Sequence, residues 1–324
     1  MRAFRLLNGK NQPRLTEIPT PEPGVGEVLV RITAAGLNFA DLLMIEGRYQ
    51  DTPATPFTLG LEAAGVVAAL GPGVEGLAVG ARVAVFGGQG AFADYGAFPA
   101  ARVIEIPDAL DMVTGAAFQI AYGTSHLALD HRAKLRPGET LVVLGAGGGV
   151  GLTAVEIGAL LGARVIAFAR GAEKLAAARA AGAAHVFDPT EADIRETVRN
   201  LGGADVVYDP VGGEQFTAAF RACRPEARLL TIGFASGTVP DIKANHMLVK
   251  NLTVMGLYWG AYLNFAPQVL TGSLQQLARW LAEGKLKAPV KTVLPFERLE
   301  DGLALLRARK ATGKIVLTMD ETAR

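Results

Sequence analysis

The chain has 324 residues, half of them hydrophobic, with 32 Lys and Arg against 31 Asp and Glu, which is enough apolar material for two cores. A formal charge of +1, scattered along the chain, leaves no basic stripe for nucleic acid or an anionic membrane, and no apolar run approaches the roughly 18 residues that span a bilayer. One cysteine, Cys223, excludes an internal disulfide and a cysteine-rich metal site, and the opening residues contain no apolar leader, so a cytoplasmic protein is expected.

The first third alternates short apolar runs with glycine and proline turns. Strands are predicted over Glu27–Ile32, Ala64–Leu70 and Arg82–Phe86, set apart by Pro23-Gly24, Gly71-Pro72-Gly73 and Gly87-Gly88, a spacing that suggests a partly open β-barrel. From about Ala116 the pattern changes to helices alternating with short strands, as in a parallel sheet. These strands are expected at Thr140–Leu144, Arg164–Ala169, His185–Phe187, Asp205–Tyr208, Arg228–Gly233 and Leu252–Leu257. Beyond Tyr262 a long helix, Pro267–Glu283, is closed by Gly284, and a strand Val290–Leu294, a helix Leu299–Lys310 and a strand Lys314–Thr318 follow. The tail is expected to rejoin the first domain. Residues 1–120 and 263–324 then form a catalytic domain and residues 121–262 an inserted nucleotide-binding domain, with the active site in the cleft between them. Cys223, between Phe220 and a strand, reads as a small buried hydrophobe.

The most informative stretch is Thr140–Lys174, where strand, glycine loop, helix and second strand follow in order. Five glycines fall between Gly145 and Gly151; they permit a sharp turn and close approach of backbone to a pyrophosphate at the N-terminus of the next helix, Leu152–Leu161. The GxGxxG pattern is imperfect, because Ala146 takes its first position when Gly148 and Gly151 take the others. The βαβ unit nevertheless has the expected length of about 30 residues. In NAD-binding versions an acid about 20 residues on holds the ribose 2′-hydroxyl; here Ala169 stands there, followed by Arg170 and, one helical turn later, Lys174. Two cations and no carboxylate select NADP(H), although both also fit as ordinary surface charges.

The chain resembles the zinc-free quinone oxidoreductases of the medium-chain dehydrogenase/reductase superfamily over essentially its whole length. The segments that carry the resemblance are AAGLNFADLLMIEGRY at Ala34–Tyr49, GLEAAGVV at Gly60–Val67, GAGGGVG at Gly145–Gly151, DPVGG at Asp209–Gly213, IGFASG at Ile232–Gly237, NLTVMGLYWGAY at Asn251–Tyr262 and GKIVL at Gly313–Leu317. The resemblance implies an α/β fold in which a Rossmann doubly wound parallel sheet is inserted in a GroES-like, partly open β-barrel. Zinc-dependent relatives place a cysteine and a histidine where this chain has Asn38 and Leu61, and the four-cysteine lobe of a second zinc is missing, so no metal is expected. The four histidines are expected to be solvated or to cap helices.

Without a metal, a developing oxyanion needs hydrogen-bond donors, which suits acceptors that are already electrophilic. The family does this with NADPH as hydride source and quinones, enones or other activated alkenes as acceptors. Carried over residue by residue, the resemblance implies Asn38 and Tyr49 as donors to the substrate oxygen and Asp41 as the residue that orients the loop. Asn38 also fits as a helix cap and Tyr49 as a wall of the cleft. It brings Thr124 near the nicotinamide, Gly148, Gly149 and Val150 to the pyrophosphate, Arg170 and Lys174 to the 2′-phosphate, and Gly233 and Phe234 to the ribose and nicotinamide. Lys314 either reaches the cofactor phosphates or is an edge-strand charge. Tyrosines that some relatives carry align with Leu43 and Pro189 here, so the pocket is more apolar than theirs and one side of the adenine site differs. Glu62, flanked by Leu61 and two alanines, needs a partner that is not apparent in the sequence, and a structural role is expected for it.

The leading expectation is therefore an NADPH:quinone oxidoreductase-like enzyme with a small electrophilic substrate, no nucleic-acid or membrane partner, and a homodimer formed through the strand Asn251–Leu257. Two other readings stay open: a short-chain enoyl-thioester (acyl-CoA) reductase, and a noncatalytic NADPH-sensing or RNA-binding protein. Leu43, Tyr49, Ile120, Tyr258 and Trp259 together are expected to shape the substrate pocket.

Overall fold

The computed structural model describes residues 1–8, 12–288 and 290–319. The chain forms two compact units, one from Met1–Ile120 together with the described residues from Ala278 onward, the other from Ala121–Leu277.

The first unit contains β1 (Arg2–Leu6), β2 (Arg14–Glu17), β3 (Glu27–Leu37), α1 (Phe39–Ile45), β4 (Phe57–Thr58), β5 (Glu62–Leu70), β6 (Arg82–Val85), β7 (Tyr95–Pro99), β8 (Val103–Glu105) and the short helix α2 (Met112–Gly115). Helix α3 (Gln119–His126) begins at its end. Across the second unit run β9 (Thr140–Val143), α4 (Gly149–Leu160), β10 (Arg164–Phe168), α5 (Ala172–Ala180), β11 (His185–Phe187), α6 (Ile194–Asn200), β12 (Ala204–Asp209), α7 (Gly213–Ala222), β13 (Cys223–Thr231), α8 (Ala244–Lys250), β14 (Thr253–Gly256) and α9 (Tyr262–Phe265). After α10 (Pro267–Ala282), the first unit is completed by β15 (Val290–Pro295), α11 (Leu299–Arg307) and β16 (Lys314–Thr318).

In the first unit a seven-stranded sheet runs β15-β16-β3-β5-β6-β8, with β7 also paired to β3, and a three-stranded sheet runs β2-β1-β4. Its core is built by Val28, Val30, Ile32, Val83, Val85, Phe92 and Phe98 with Phe296 and Leu303 from the returning tail. Strand β3 extends to Leu37, beyond the predicted end at Ile32. The small residues Ala34, Ala35 and Gly36 pair antiparallel with Thr318, Leu317 and Val316 on one side and with Ala64, Ala63 and Glu62 on the other.

The second unit is a six-stranded parallel sheet ordered β11-β10-β9-β12-β13-β14, the order of a doubly wound dinucleotide-binding fold. All four residues of β9 are buried, as expected for a central strand covered on both faces. Strand β14 lies at the edge. Helix α10 starts on Pro267, whose missing N–H costs nothing in a first turn, and ends before Gly284 at φ +69°. Leu270, Leu274, Leu277 and Leu281 form its buried stripe. The second division between the units falls at residues 277 and 278, not at 262 and 263. The first turns of α10 pack with the nucleotide-binding unit, where Ser273 Oγ lies 2.8 Å from His126 Nδ1 on α3.

His126 is accordingly buried, and burial lowers its pKa; the expectation of a solvated or capping residue does not hold for it. Cys223 is buried, and burial pushes its thiol up to about 12, so it is inert. Among the described residues no helix is long and apolar enough to cross a membrane.

Candidate active site

Because the strands of the second unit are parallel, their C-terminal ends share one edge, and of the residues expected to hold a dinucleotide all but Thr124 and Lys314 follow those ends. Strand β9 leads through Gly145, at φ +59°, into the loop that starts α4. A Cβ on Gly151 would lie 2.2 Å from Gly145 O, and one on Gly147 would lie 2.5 Å from Lys174 Cβ, so the loop, α4 and α5 meet at a distance only glycine allows. A Cβ on Gly148 would meet only Gly145 O, at 3.5 Å. That side of the loop is open, and the first-turn amides of Gly149 and Val150 have no acceptor within α4. The opening fits a pyrophosphate.

Thr124 is held beside this loop by its neighbours. Ser125 Oγ donates to Val150 O at 3.0 Å, and Thr153 Oγ1 donates to Ala121 O at 3.1 Å, which seats α3 on the first turns of α4. Gly233 and Phe234 follow β13, and the Phe234 ring is 41% exposed. Next to them Asp209, at the end of β12, accepts the N–H groups of Val211 and Gly212.

At the end of β10, Ala169 is buried, Arg170 is exposed, and Lys174 is half-buried in the first turn of α5. Burial lowers the Lys174 pKa; the Glu173 charge opposes that and the Arg170 charge adds to it. The register that pairs Phe168 with Phe187 sets Asp188 level with Ala169. Asp188 accepts Gly171 N–H at 2.7 Å and both the N–H and hydroxyl of Thr190 at 2.9 and 2.7 Å. These bonds, that from Gly171 foremost, hold its carboxyl below the usual range, with a smaller contribution from Arg170. Counting along the chain found no acid at this strand end; the neighbouring strand supplies one.

In the first unit two of the expected catalytic residues, Asn38 and Asp41, lie in a buried polar cluster centred on Glu62. Gly36 of β3 pairs directly with Glu62 of β5, and a Cβ at Gly36 would lie 2.8 Å from Glu62 Oε1, so the glycine makes room for the carboxylate. On the other side of β3, β16 sets Ile315 opposite Leu37, so that Lys314 lies one residue beyond, at the end of β3. Lys314 Nζ donates to Glu62 Oε1 at 2.5 Å, Asn38 Oδ1 at 2.8 Å and Leu37 O at 2.8 Å. Glu62 Oε2 accepts Ile120 N–H at 3.0 Å in the first turn of α3. The pair is fully enclosed, at 0% exposure for Glu62 and 4% for Lys314.

This overturns both expectations for Lys314. Strand β16 is interior, between β15 and β3, so the lysine is no edge-strand charge, and its three donors are consumed by buried acceptors, leaving none for a phosphate. It is the partner that Glu62 lacked in the sequence.

The cluster also constrains Asn38. Its Nδ2 donates to Glu62 Oε1 at 3.0 Å and to Gly36 O at 3.3 Å while its Oδ1 accepts from Lys314, so both amide hydrogens are engaged inside the protein. Asp41 Oδ2 accepts Asn38 N–H at 2.7 Å, the acidic half of a capping box at the start of α1. Its Oδ1 is buried and has no partner among the described residues. Burial pushes the Asp41 carboxyl up to about 7, aided by the Glu62 charge and opposed by the Asn38 bond and Lys314. Tyr49 is half-buried against the core of the same unit, and its carbonyl accepts the Thr52 hydroxyl at 2.7 Å.

A GroES-like barrel unit carrying a doubly wound dinucleotide unit is the architecture of a medium-chain dehydrogenase/reductase. The family model of the alcohol dehydrogenase GroES-like domain matches residues 24–108, and that described as zinc-binding dehydrogenase matches residues 149–282. Quinone oxidoreductase-like protein 2 homolog of Nematostella vectensis is 35% identical over 320 residues, covering 96% of this chain and 87% of its own. The crystal structure of the Thermus thermophilus quinone oxidoreductase, solved also with NADPH, superposes with a TM-score of 0.86 at 33% identity, covering 98% and 100% of the two chains. The Escherichia coli quinone oxidoreductase complexed with NADPH gives 0.90 at 26% identity, covering 98% and 99%. The chain belongs to the quinone oxidoreductase family of the medium-chain dehydrogenases/reductases, and it is an oxidoreductase.

Two outcomes follow from the Glu62 cluster. Lys314→Met leaves a buried carboxylate unpaired and is expected to cost about 3–5 kcal/mol; adding Glu62→Gln restores at least half of that in a chemical-denaturation cycle, and strictly additive losses would refute the coupling. For Asp41 the folded pKa, about 7, lies above the ordinary value of 3.8. The folded state therefore keeps a proton that the unfolded chain has released, and stability falls as pH rises toward and through 7. Between pH 5 and pH 8 the wild type is expected to lose about 3 kcal/mol relative to Asp41→Asn. A pH-independent gap in thermal unfolding would contradict the shifted pKa.

Proposed function

We propose that the enzyme uses NADPH to reduce quinones or other activated alkenes and enones without a metal ion. The observation that carries this reading is the open glycine loop on the N-terminus of α4, with Arg170 and Lys174 at the next strand end. Gly148, Gly149 and Val150 would bind the pyrophosphate, Arg170 and Lys174 the 2′-phosphate, and Thr124, Gly233 and Phe234 the nicotinamide ribose end. NADPH, when bound, supplies the hydride.

The position that bears a cysteine in zinc-dependent relatives is Asn38, whose amide is turned toward Glu62 and Lys314, and Leu61 offers an aliphatic chain where they carry histidine. Neither is a zinc ligand. With both Asn38 hydrogens engaged, Asn38 and Asp41 serve to shape the start of α1, and Tyr49 remains the side chain proposed to donate to the acceptor oxygen. An acceptor that needs no Lewis acid suits such a site. Asp188 opposes a 2′-phosphate at the strand end where Arg170 attracts it, so the preference for NADPH over NADH is a difference between two nearby charges. We further propose a cytoplasmic homodimer joined through β14, one of the two edge strands of the parallel sheet.

Stopped-flow oxidation of NADPH against a panel of quinones, enones and enoyl thioesters tests the acceptor class: turnover is expected with the quinones or enones, and none with any of the panel would overturn the assignment. For the cofactor, Arg170→Ala is expected to raise the Kd for NADPH at least about tenfold and that for NADH less than about twofold. Equal weakening of both dinucleotides, measured by fluorescence titration, would remove Arg170 from the 2′-phosphate site.

A further inference from the structure

The opposite edge of the parallel sheet carries a second concentration of positive charge that the cofactor reading does not use. At the N-terminal ends of β12, β13 and β14 lies a cavity of about 690 Å³, lined by Arg195, Arg199, Arg221, Arg224 and Lys250 and by no carboxylate. Its apolar wall includes Phe220, Cys223 and Leu252, all buried. The glycine loop follows the C-terminal ends of the same sheet, so the cavity is removed from it by the length of a strand, about 20 Å.

Helices α6, α7 and α8 all end here, and basic residues in last turns commonly offset the negative ends of helix dipoles. Arg199, Arg221 and Lys250 occupy those turns. Three helix ends of about half a charge each amount to about −1.5, and Asp205 adds one charge, paired with Arg224. The five cations of the lining exceed that total by more than two.

The hydrogen bonds divide the cations into two groups. Lys250 Nζ donates to the carbonyls of Cys223 and Arg221 at 2.8 and 3.1 Å; Arg224 donates to Gly202 O and Asp205. These two close the helix and strand ends. Arg195, Arg199 and Arg221 are exposed, and among the described residues their guanidinium groups take part in no hydrogen bond or ion pair. Arg195 and Arg199 stand four residues apart, on one face of α6. In a chain with 32 basic and 31 acidic residues, three unpaired guanidiniums facing one cavity are a local excess with no structural counter-charge.

We propose that this cavity is a second anion site, which takes a phosphorylated small molecule of the organic di- or triphosphate class. Guanidinium forks match phosphate oxygens in pairs, and three of them exceed what a single monoanion can engage. The volume is within the range of small-molecule sites, about 300–1,000 Å³, which leaves room for an organic part against Phe220 and Leu252.

Inorganic tripolyphosphate is the probe, titrated calorimetrically into the full chain. The wild type is expected to bind it in a salt-sensitive manner. Arg199→Ala/Arg221→Ala should weaken that binding at least about tenfold, while the unfolding midpoint falls by no more than a few degrees, since among the described residues each side chain loses only its interaction with a helix end. Arg170→Ala, at the other edge of the sheet, should retain the site within about twofold. The charge-reversed pair Arg199→Glu/Arg221→Glu should abolish it. Absence of binding by the wild type overturns the proposal, as does full affinity in the double variants or loss through Arg170→Ala alone.

Discussion

A carboxylate taken out of water must find its counter-charge inside the protein, and the first unit is arranged around that requirement. Glu62 is wholly enclosed and Lys314 nearly so; an unpaired ion there would carry a penalty of several kcal/mol. Meeting it requires β16 inside the sheet, beside β3, and a glycine at position 36 to admit the carboxylate. The same pair then orients Asn38 through both ends of its amide, and the second oxygen of Glu62 receives the first turn of α3. An ion pair and its hydrogen bonds thus hold the Asn38 side chain at the start of α1.

The second unit depends on closeness of backbone instead of charge. Strand β9, its loop and α4 approach within distances that exclude any Cβ at Gly151, and that packing leaves the amides of α4 facing outward at the sheet edge. The strand ends then separate two kinds of chemistry. Residues after β9, β10 and β13 are suited to a dinucleotide, whereas residues before β12 and β13 present arginines that have no partner among the described residues. A parallel sheet has this polarity by construction, since all its helices begin at one edge and end at the other.

Much of this was legible in local patterns. Strands β11 and β16 lie where the apolar runs predict them, and β9 and β10 each end one residue short of their predicted C-termini. The less regular elements were harder to read. Strand β13 starts at Cys223 instead of Arg228, because Pro225 and Glu226, the latter at φ +64°, disguise an extended segment with an irregular register against β12. The features missing from the sequence reading were those set by pairing across the chain. Lys314 is 252 residues from Glu62, and no local pattern connects them. Asp188 escaped a count along β10 because it reaches the same level from the neighbouring strand. The engagement of the Asn38 amide likewise depends on Glu62 from β5, which accepts one of its hydrogens, and on Lys314 from β16, which donates to its oxygen, so its residue type identified the position and not its role.

The interior place of β16 bears on how the protein is made. Residues 121–277 form a contiguous unit that can acquire its sheet while synthesis continues, whereas the larger sheet of the first unit has a gap between β15 and β3 until residues 314–318 leave the ribosome. At about 5–20 residues per second, the 252 residues that separate Glu62 from Lys314 take roughly 13 to 50 s to translate. Throughout that interval Glu62 has no ammonium to accompany it out of water, and the half-built barrel remains a solvated, open sheet. The second unit is thus the scaffold that can exist first, and the first unit closes last, on the residue that neutralises its own core.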